Sequence, residues 1–175
     1  GARTILCQIV AQELSIPVAK VTMRETETRT TPFDRSTGAS RSTTVMGSAV
    51  KAAALDLRRQ LIEAAVEILR VNASTITLSN GQAVSGDKQM TYGQVVSAFF
   101  GMPGGELIGR GYMRPDGTLG KSLPLFWETG MGSAEIAVDE ETGAIQVEKY
   151  VTVADVGRAL NPLQAEGQDE GAAIQ

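Results

Sequence analysis

Gly38-Ala39-Ser40-Arg41-Ser42-Thr43-Thr44 gathers residue types suited to holding an anion, directly ahead of the longest amphipathic helix pattern in the chain. Small residues such as Gly38 and Ala39 let the backbone approach a ligand closely. Ser40, Ser42 and Thr43 add hydroxyl donors. The first N–H groups of a helix have no partner within it and point at whatever lies ahead. A phosphate or a similar anionic group suits that arrangement. A well-capped helix with nothing bound is the plainer alternative, because Ser and Thr are common N-caps in any protein.

Elsewhere the residues that could do chemistry are sparse. Histidine is absent, which excludes a Ser–His–Asp triad, a Cys–His dyad and His-based metal sites. A metal can still arrive inside an organic cofactor. Cys7 is the single cysteine, so no internal disulfide forms, and a reducing compartment suits the chain. Its apolar helical setting reads as core rather than nucleophile. The net charge is −4, with 10 basic and 7 acidic residues in 1–70 against 6 and 13 in 71–175. That balance argues against nucleic-acid binding.

The positioning elements come from periodicity. At 175 residues, 42% hydrophobic and 21% charged, the chain can bury a real core. Its apolar runs are too short to span a membrane. No leader pattern opens it, so a cytoplasmic location is expected. Both ends run into helix patterns without start or stop signals, which reads as a piece of a larger polypeptide or of a split subunit.

Ile5, Leu6, Ile9, Val10 and Leu14 recur at helical spacing and predict a helix over 2–14. Val18 to Met23 reads as a short strand. Thr43 to Leu69 reads as the long helix, with Gly47, Ala49, Ala52 and Ala53 keeping its first turns slim. Slimness serves contact with a ligand or plain close packing equally. Ile76 and Leu78 alternate as in a strand, and Asn80-Gly81 signals a hairpin turn. Thr91 and Gln94 form a candidate capping box for a helix that Gly101 ends. Glu106 to Met113 reads as another strand, followed by a long glycine-bearing loop to Gly132 in which Trp127 reads as packing. Ala134, Ile136 and Val138 pair across Asp139–Gly143 with Ile145, Val147, Val151 and Val153. Asn161 and Pro162 look like the N-cap and first residue of a last helix. The expected class is α+β, with helices layered on a mixed sheet. A single partial domain is expected, with subdomains at about 1–130 and 131–175.

Taken together, four stretches resemble the molybdenum-cofactor-binding large subunit of the xanthine dehydrogenase and aldehyde oxidase family. Thr4–Leu14 resembles the helix after that family's Gly-Gln-Gly motif. Pro32-Phe33-Asp34 through Thr43, with Met46-Gly47, resembles its Ala-Ser-x-Ser-Thr cofactor loop. Ser133 to Asp139 with Thr142-Gly143 resembles its late hairpin. Val153 to Arg158, Asn161-Pro162, Glu166-Gly167-Gln168 and Gly171 resemble its Asp-Val-Gly…Asn-Pro…Gly-Gln segment. Residues 71–132 match only loosely.

The resemblance implies hydroxylation of a carbon beside a ring nitrogen, or of an aldehyde carbon, with the oxygen taken from water. It implies a molybdenum–molybdopterin cofactor, in some members the cytosine dinucleotide form. It also implies 2Fe–2S clusters and FAD on partner chains or domains of the same hydroxylase. Carried over by position, Gly38, Ala39, Ser40, Ser42 and Thr43 would hold the pterin and its phosphate. Gln168 and Gln175 would hydrogen-bond the pterin edge, an amide being both donor and acceptor. Ser133 aligns with a cofactor contact of some members, or is a plain strand residue. Arg41 suits a phosphate or an ion pair with Asp34. The family's catalytic glutamate would fall beyond residue 175. Glu13, Glu63, Glu128 and Glu135 lie outside its motif, so no catalytic residue is assigned and the isolated stretch is expected to be inactive. A phosphate- or nucleotide-binding module and a cofactor-free assembly domain are the other readings.

Overall fold

The structure, a computed structural model, describes residues 1–34, 36–114 and 126–174. The chain divides into two compact units, Gly1–Arg114 and Pro115–Gln175. The class is the expected α+β. Among the described residues no strand pairs in parallel, so the mixed sheet expected is not seen there. The described strands make a three-stranded antiparallel sheet in the first unit and a two-stranded antiparallel sheet in the second. Tight turns join consecutive strands, and such connections permit only antiparallel pairing.

The first unit is organised by α2 (Ser42–Leu69), which packs against α1 (Ala2–Glu13) and α3 (Tyr92–Phe100). Its second half carries the apolar stripe. Leu61, Ala64, Ala65 and Leu69 close on Leu78, Ala83 and Val95 to form the core, which drives folding by removing apolar surface from water. Leu78 belongs to β1 (Thr77–Ser79) and Ala83 to β2 (Gln82–Ser85), and β3 (Lys88–Thr91) completes the order β1-β2-β3. Asn80 and Gly81 both take positive φ, 46° and 77°, as the two-residue turn between β1 and β2 requires. Gly81 N–H donates to Ser15 O at 3.0 Å, and the Tyr92 hydroxyl donates to Leu14 O at 2.6 Å. These bonds tie the end of α1 to the sheet. The capping box is formed: Gln94 N–H donates to Thr91 Oγ1 at 3.2 Å, and Thr91 N–H donates to Gln94 Oε1 at 2.9 Å.

Two expected strands do not form. Pro17, which has a fixed φ and no N–H, starts a tight turn at Val18–Lys20, with Lys20 N–H donating to Pro17 O at 2.9 Å. Residues 106–113 have no ladder partner among the described residues. They run instead along the slim half of α2. A Cβ at Gly109 would collide with Ala53 O, and one at Gly111 with Ala53 N and Ala49 O. The small residues of α2 thus serve close packing against a chain segment. Cys7 is half-buried on α1, short of the full burial expected of a core residue.

The second unit holds β4 (Thr129–Val138), β5 (Ile145–Asp155) and α4 (Pro162–Ile174), with α4 packed on β5. Asp139 Oδ1 accepts from Glu141 N–H and Thr142 N–H, both at 2.9 Å, closing the turn. Those donors hold its carboxyl below the usual carboxylate range. Asn161 Oδ1 accepts from Gln164 N–H at 3.2 Å and caps α4, with Pro162 as its first residue. Trp127 does not pack as expected: it is 72% exposed. Ahead of β4, the Glu128 carboxyl hydrogen-bonds the Asp169 carboxyl of α4, which raises the Glu128 pKa.

Two outcomes follow. Gly111→Ala places a methyl group against α2 backbone and should destabilise the first unit by about 1–3 kcal/mol, read as a lower urea midpoint at unchanged slope. An unshifted midpoint would mean that the segment is not seated on α2. In the second unit, the Glu128 pKa lies higher folded than unfolded. The stabilisation is therefore complete below the ordinary carboxylate pKa and is lost as pH rises through the raised value. Asp169→Asn gives Glu128 an amide donor, so the fall in melting temperature between pH 4 and 7 should flatten. An unchanged profile would remove the pair as its cause.

Candidate functional site

The loop ahead of α2 has an unusual backbone. Ala39 and Ser40, neither of them glycine, are consecutive in the left-handed region at φ 52° and 49°. Such residues cost of order 1–3 kcal/mol each and gather at ligand clamps. Arg41 braces the turn. Its N–H donates to Gly38 O at 3.3 Å, and Nη2 donates to Ser36 O at 2.7 Å. Among the described residues Arg41 makes no ion pair with Asp34. The guanidinium holds the loop rather than the neighbouring carboxylate.

The helix starts one residue earlier than expected. Its N-cap is Arg41, with Val45 N–H donating to Arg41 O at 2.9 Å. No side chain caps it, and its first turn contains no acidic residue. The plainer alternative of a helix capped by Ser or Thr is therefore not what this terminus shows. A 28-residue helix has its positive dipole end uncompensated by any side chain of its own first turn. Ser42 is half-buried there and Thr43 exposed, while Gly38, Ala39 and Ser40 are exposed. A Cβ at Gly38 would meet nothing within 4 Å, so the loop is open at that residue. The donor set, backbone amides with Ser42 and Thr43 hydroxyls, matches a phosphate.

The other candidates lie in the second unit. Ser133 is an exposed residue of β4, paired opposite Val151. Gln168 is on α4 with its surface exposed. Gln175 lies outside the described residues. One feature of α4 was not anticipated. Gln164 Oε1 is buried with no hydrogen-bond partner among the described residues. Residues four apart share a helix face, so Gln164 and Gln168 present two amides on one side of α4. That spacing is the only clue to Gln164 in the sequence. The described residues contain no group of three His, Cys, Asp or Glu able to hold a metal ion directly.

All 175 residues match the family model of a molybdopterin cofactor-binding domain. The chain is 31% identical to the xanthine dehydrogenase molybdenum-binding subunit of Escherichia coli O157:H7, over 98% of this chain and 23% of that protein. It is 29% identical to the carbon monoxide dehydrogenase large chain of Hydrogenophaga pseudoflava, over 98% of this chain and 21% of that one. The crystal structure of quinoline 2-oxidoreductase from Pseudomonas putida 86 matches with a TM-score of 0.76 at 25% identity, covering 98% of this chain and 22% of its own. The chain spans about a fifth of the length of these relatives. With the family match running from the first residue to the last and a shared fold, this chain belongs to the molybdopterin cofactor-binding domain family.

Proposed function

We propose that the chain holds the phosphate end of a molybdopterin cofactor, as part of the longer molybdenum-binding subunit of a hydroxylase. The observation that carries this reading is the first turn of α2, which lacks a side-chain cap and an acidic residue and is preceded by a strained loop. Gly38 and Ala39 leave room for the ligand. Ser40, Ser42 and Thr43, with the amides of the first turn, supply donors to it. Arg41 keeps the loop in shape through Ser36 O. Gln168, Gln175 and the unsatisfied Gln164 offer amides to the pterin edge. Ser133 is a further contact from β4.

When bound, the cofactor supplies two-electron oxidation of a carbon–hydrogen bond, with oxygen drawn from water. The protein's share is to bind, orient and tune. An N-heterocycle or an aldehyde is the proposed substrate, in keeping with relatives named nicotine 6-hydroxylase large subunit and aldehyde oxidase 1. The proposed partners are iron–sulfur and flavin subunits carrying 2Fe–2S clusters and FAD. The cytosine dinucleotide form is the proposed extension of the cofactor. The stretch itself binds rather than catalyses, and the site of action is proposed to be cytoplasmic. Among the described residues, no helix is long and apolar enough to cross a membrane.

Ser42→Ala with Thr43→Ala in the intact subunit removes two hydroxyl donors to a charged group, each worth about 1.5–3 kcal/mol. Cofactor dissociation should speed at least tenfold and molybdenum per subunit should fall, while the melting temperature of the cofactor-free protein stays put. Full occupancy with unchanged dissociation would remove this loop from the site. Gln164→Leu removes an unsatisfied acceptor. The cofactor-free protein should then melt no lower than before while molybdenum content drops. Unchanged content would take Gln164 off the pterin edge.

A further inference from the structure

Residues 106–113 read as a strand in sequence and sit on α2 without a ladder among the described residues. Gly109 rests over Ala53 and Leu57, and Gly111 over Ala49 and Ala53. Two residues of the segment thus cover four residues of helix, about 6 Å at 1.5 Å rise per residue. Two residues of a nearly extended chain span about 6.6–7.2 Å, which is consistent with that distance. In an extended chain, alternate residues turn their N–H and C=O groups to the same edge. One edge is occupied: Ile108 O accepts from Gln60 Nε2 at 2.9 Å, and Arg110 N–H donates to Asp56 Oδ2 at 3.0 Å. Arg110 N–H, then the Arg59 guanidinium, hold the Asp56 carboxyl below its usual range.

The opposite edge belongs to Leu107, Gly109 and Gly111. Their backbone groups make no hydrogen bond among the described residues. Leu107 packs against the core and Gly109 is half-buried, so the edge is held in place. The outward face adds apolar surface, with Ile108 57% and Tyr112 78% exposed. A fixed strand with one open edge is a template for another strand, and unpaired backbone groups are costly when covered without a partner.

We infer that Leu107–Met113 is an edge strand that receives a further strand along its Leu107/Gly109/Gly111 edge, and that the added strand comes from the same molybdenum-binding polypeptide outside residues 1–175. The inference rests on the reading of this chain as part of a longer subunit. The relatives supply the reason for choosing that occupant: residues 1–175 account for 23% and 21% of two of them, so most of such a subunit lies elsewhere. The segment runs toward the first turn of α2, so an added strand walls the loop proposed to hold the cofactor.

The test is residue-resolved amide hydrogen exchange on the intact subunit, with a photocross-linking residue in place of Ile108 in a parallel sample. Gly109 and Gly111 N–H should exchange as slowly as Arg110 N–H, roughly 100-fold or more below the open-chain rate. The cross-link should join position 108 to a segment of the same polypeptide outside residues 1–175. Open-chain exchange at Gly109 and Gly111 with Arg110 still protected overturns the inference. So does a cross-link within residues 1–175, to a second copy or to a different subunit. Molybdenum measured on the same sample separates the two readings. Protected glycine amides in a subunit that never holds molybdenum would leave the strand in place and sink the cofactor proposal.

Discussion

The first unit depends on one helix being two different surfaces along its length. The second half of α2 is an apolar stripe that closes the core with β1, β2 and α3. The first half is kept thin by Ala49, Ala52 and Ala53, and there an extended segment lies on the helix backbone itself through Gly109 and Gly111. Neither surface could replace the other. Leucine in the first half would push the segment away, and alanine in the second would leave too little apolar area to bury. The helix therefore ends up with its N-terminus presented ahead of a rigid body, since the same packing that fixes its core end fixes its axis.

Electrostatics follow from that axis. A long helix fixed on several sides cannot bend its first turn toward a neighbouring carboxylate, and its own first turn supplies none. Arg41, which could have carried positive charge forward, is drawn back to Ser36 O. What remains at the terminus is backbone amides and small hydroxyl side chains. That set suits an anion presented with defined geometry rather than a diffuse charge.

Much of the fold was legible from local chemistry. The helix over Ala2–Glu13, the long helix, the Asn80-Gly81 turn, the Thr91–Gln94 box, the β4–β5 hairpin and the Asn161–Pro162 start of α4 were all expected from patterns contained within a few residues. The misses are of another kind. Val18 to Met23 alternates like a strand, but Pro17 closes a tight turn on it. Glu106 to Met113 has strand character without a described partner, and pairing is not a local property. Helix assignment from Ser and Thr placed a cap at the loop, whereas the backbone hands the cap position to Arg41. The loop was singled out because its residue types are unusual together. The buried Gln164 oxygen was not, because burial of a surface-type side chain depends on what packs over it.

Consider again the two left-handed residues ahead of α2. Glycine would adopt that shape at little cost, yet the positions hold Ala39 and Ser40. A Cβ at each site makes the neighbouring conformations scarcer, so once folded the loop has few shapes to wander among. The entropy that a mobile loop would surrender on capture of a ligand has already been surrendered during folding. As the proposed cofactor loop it is a mould set in advance, and α2 beneath it keeps the mould from drifting.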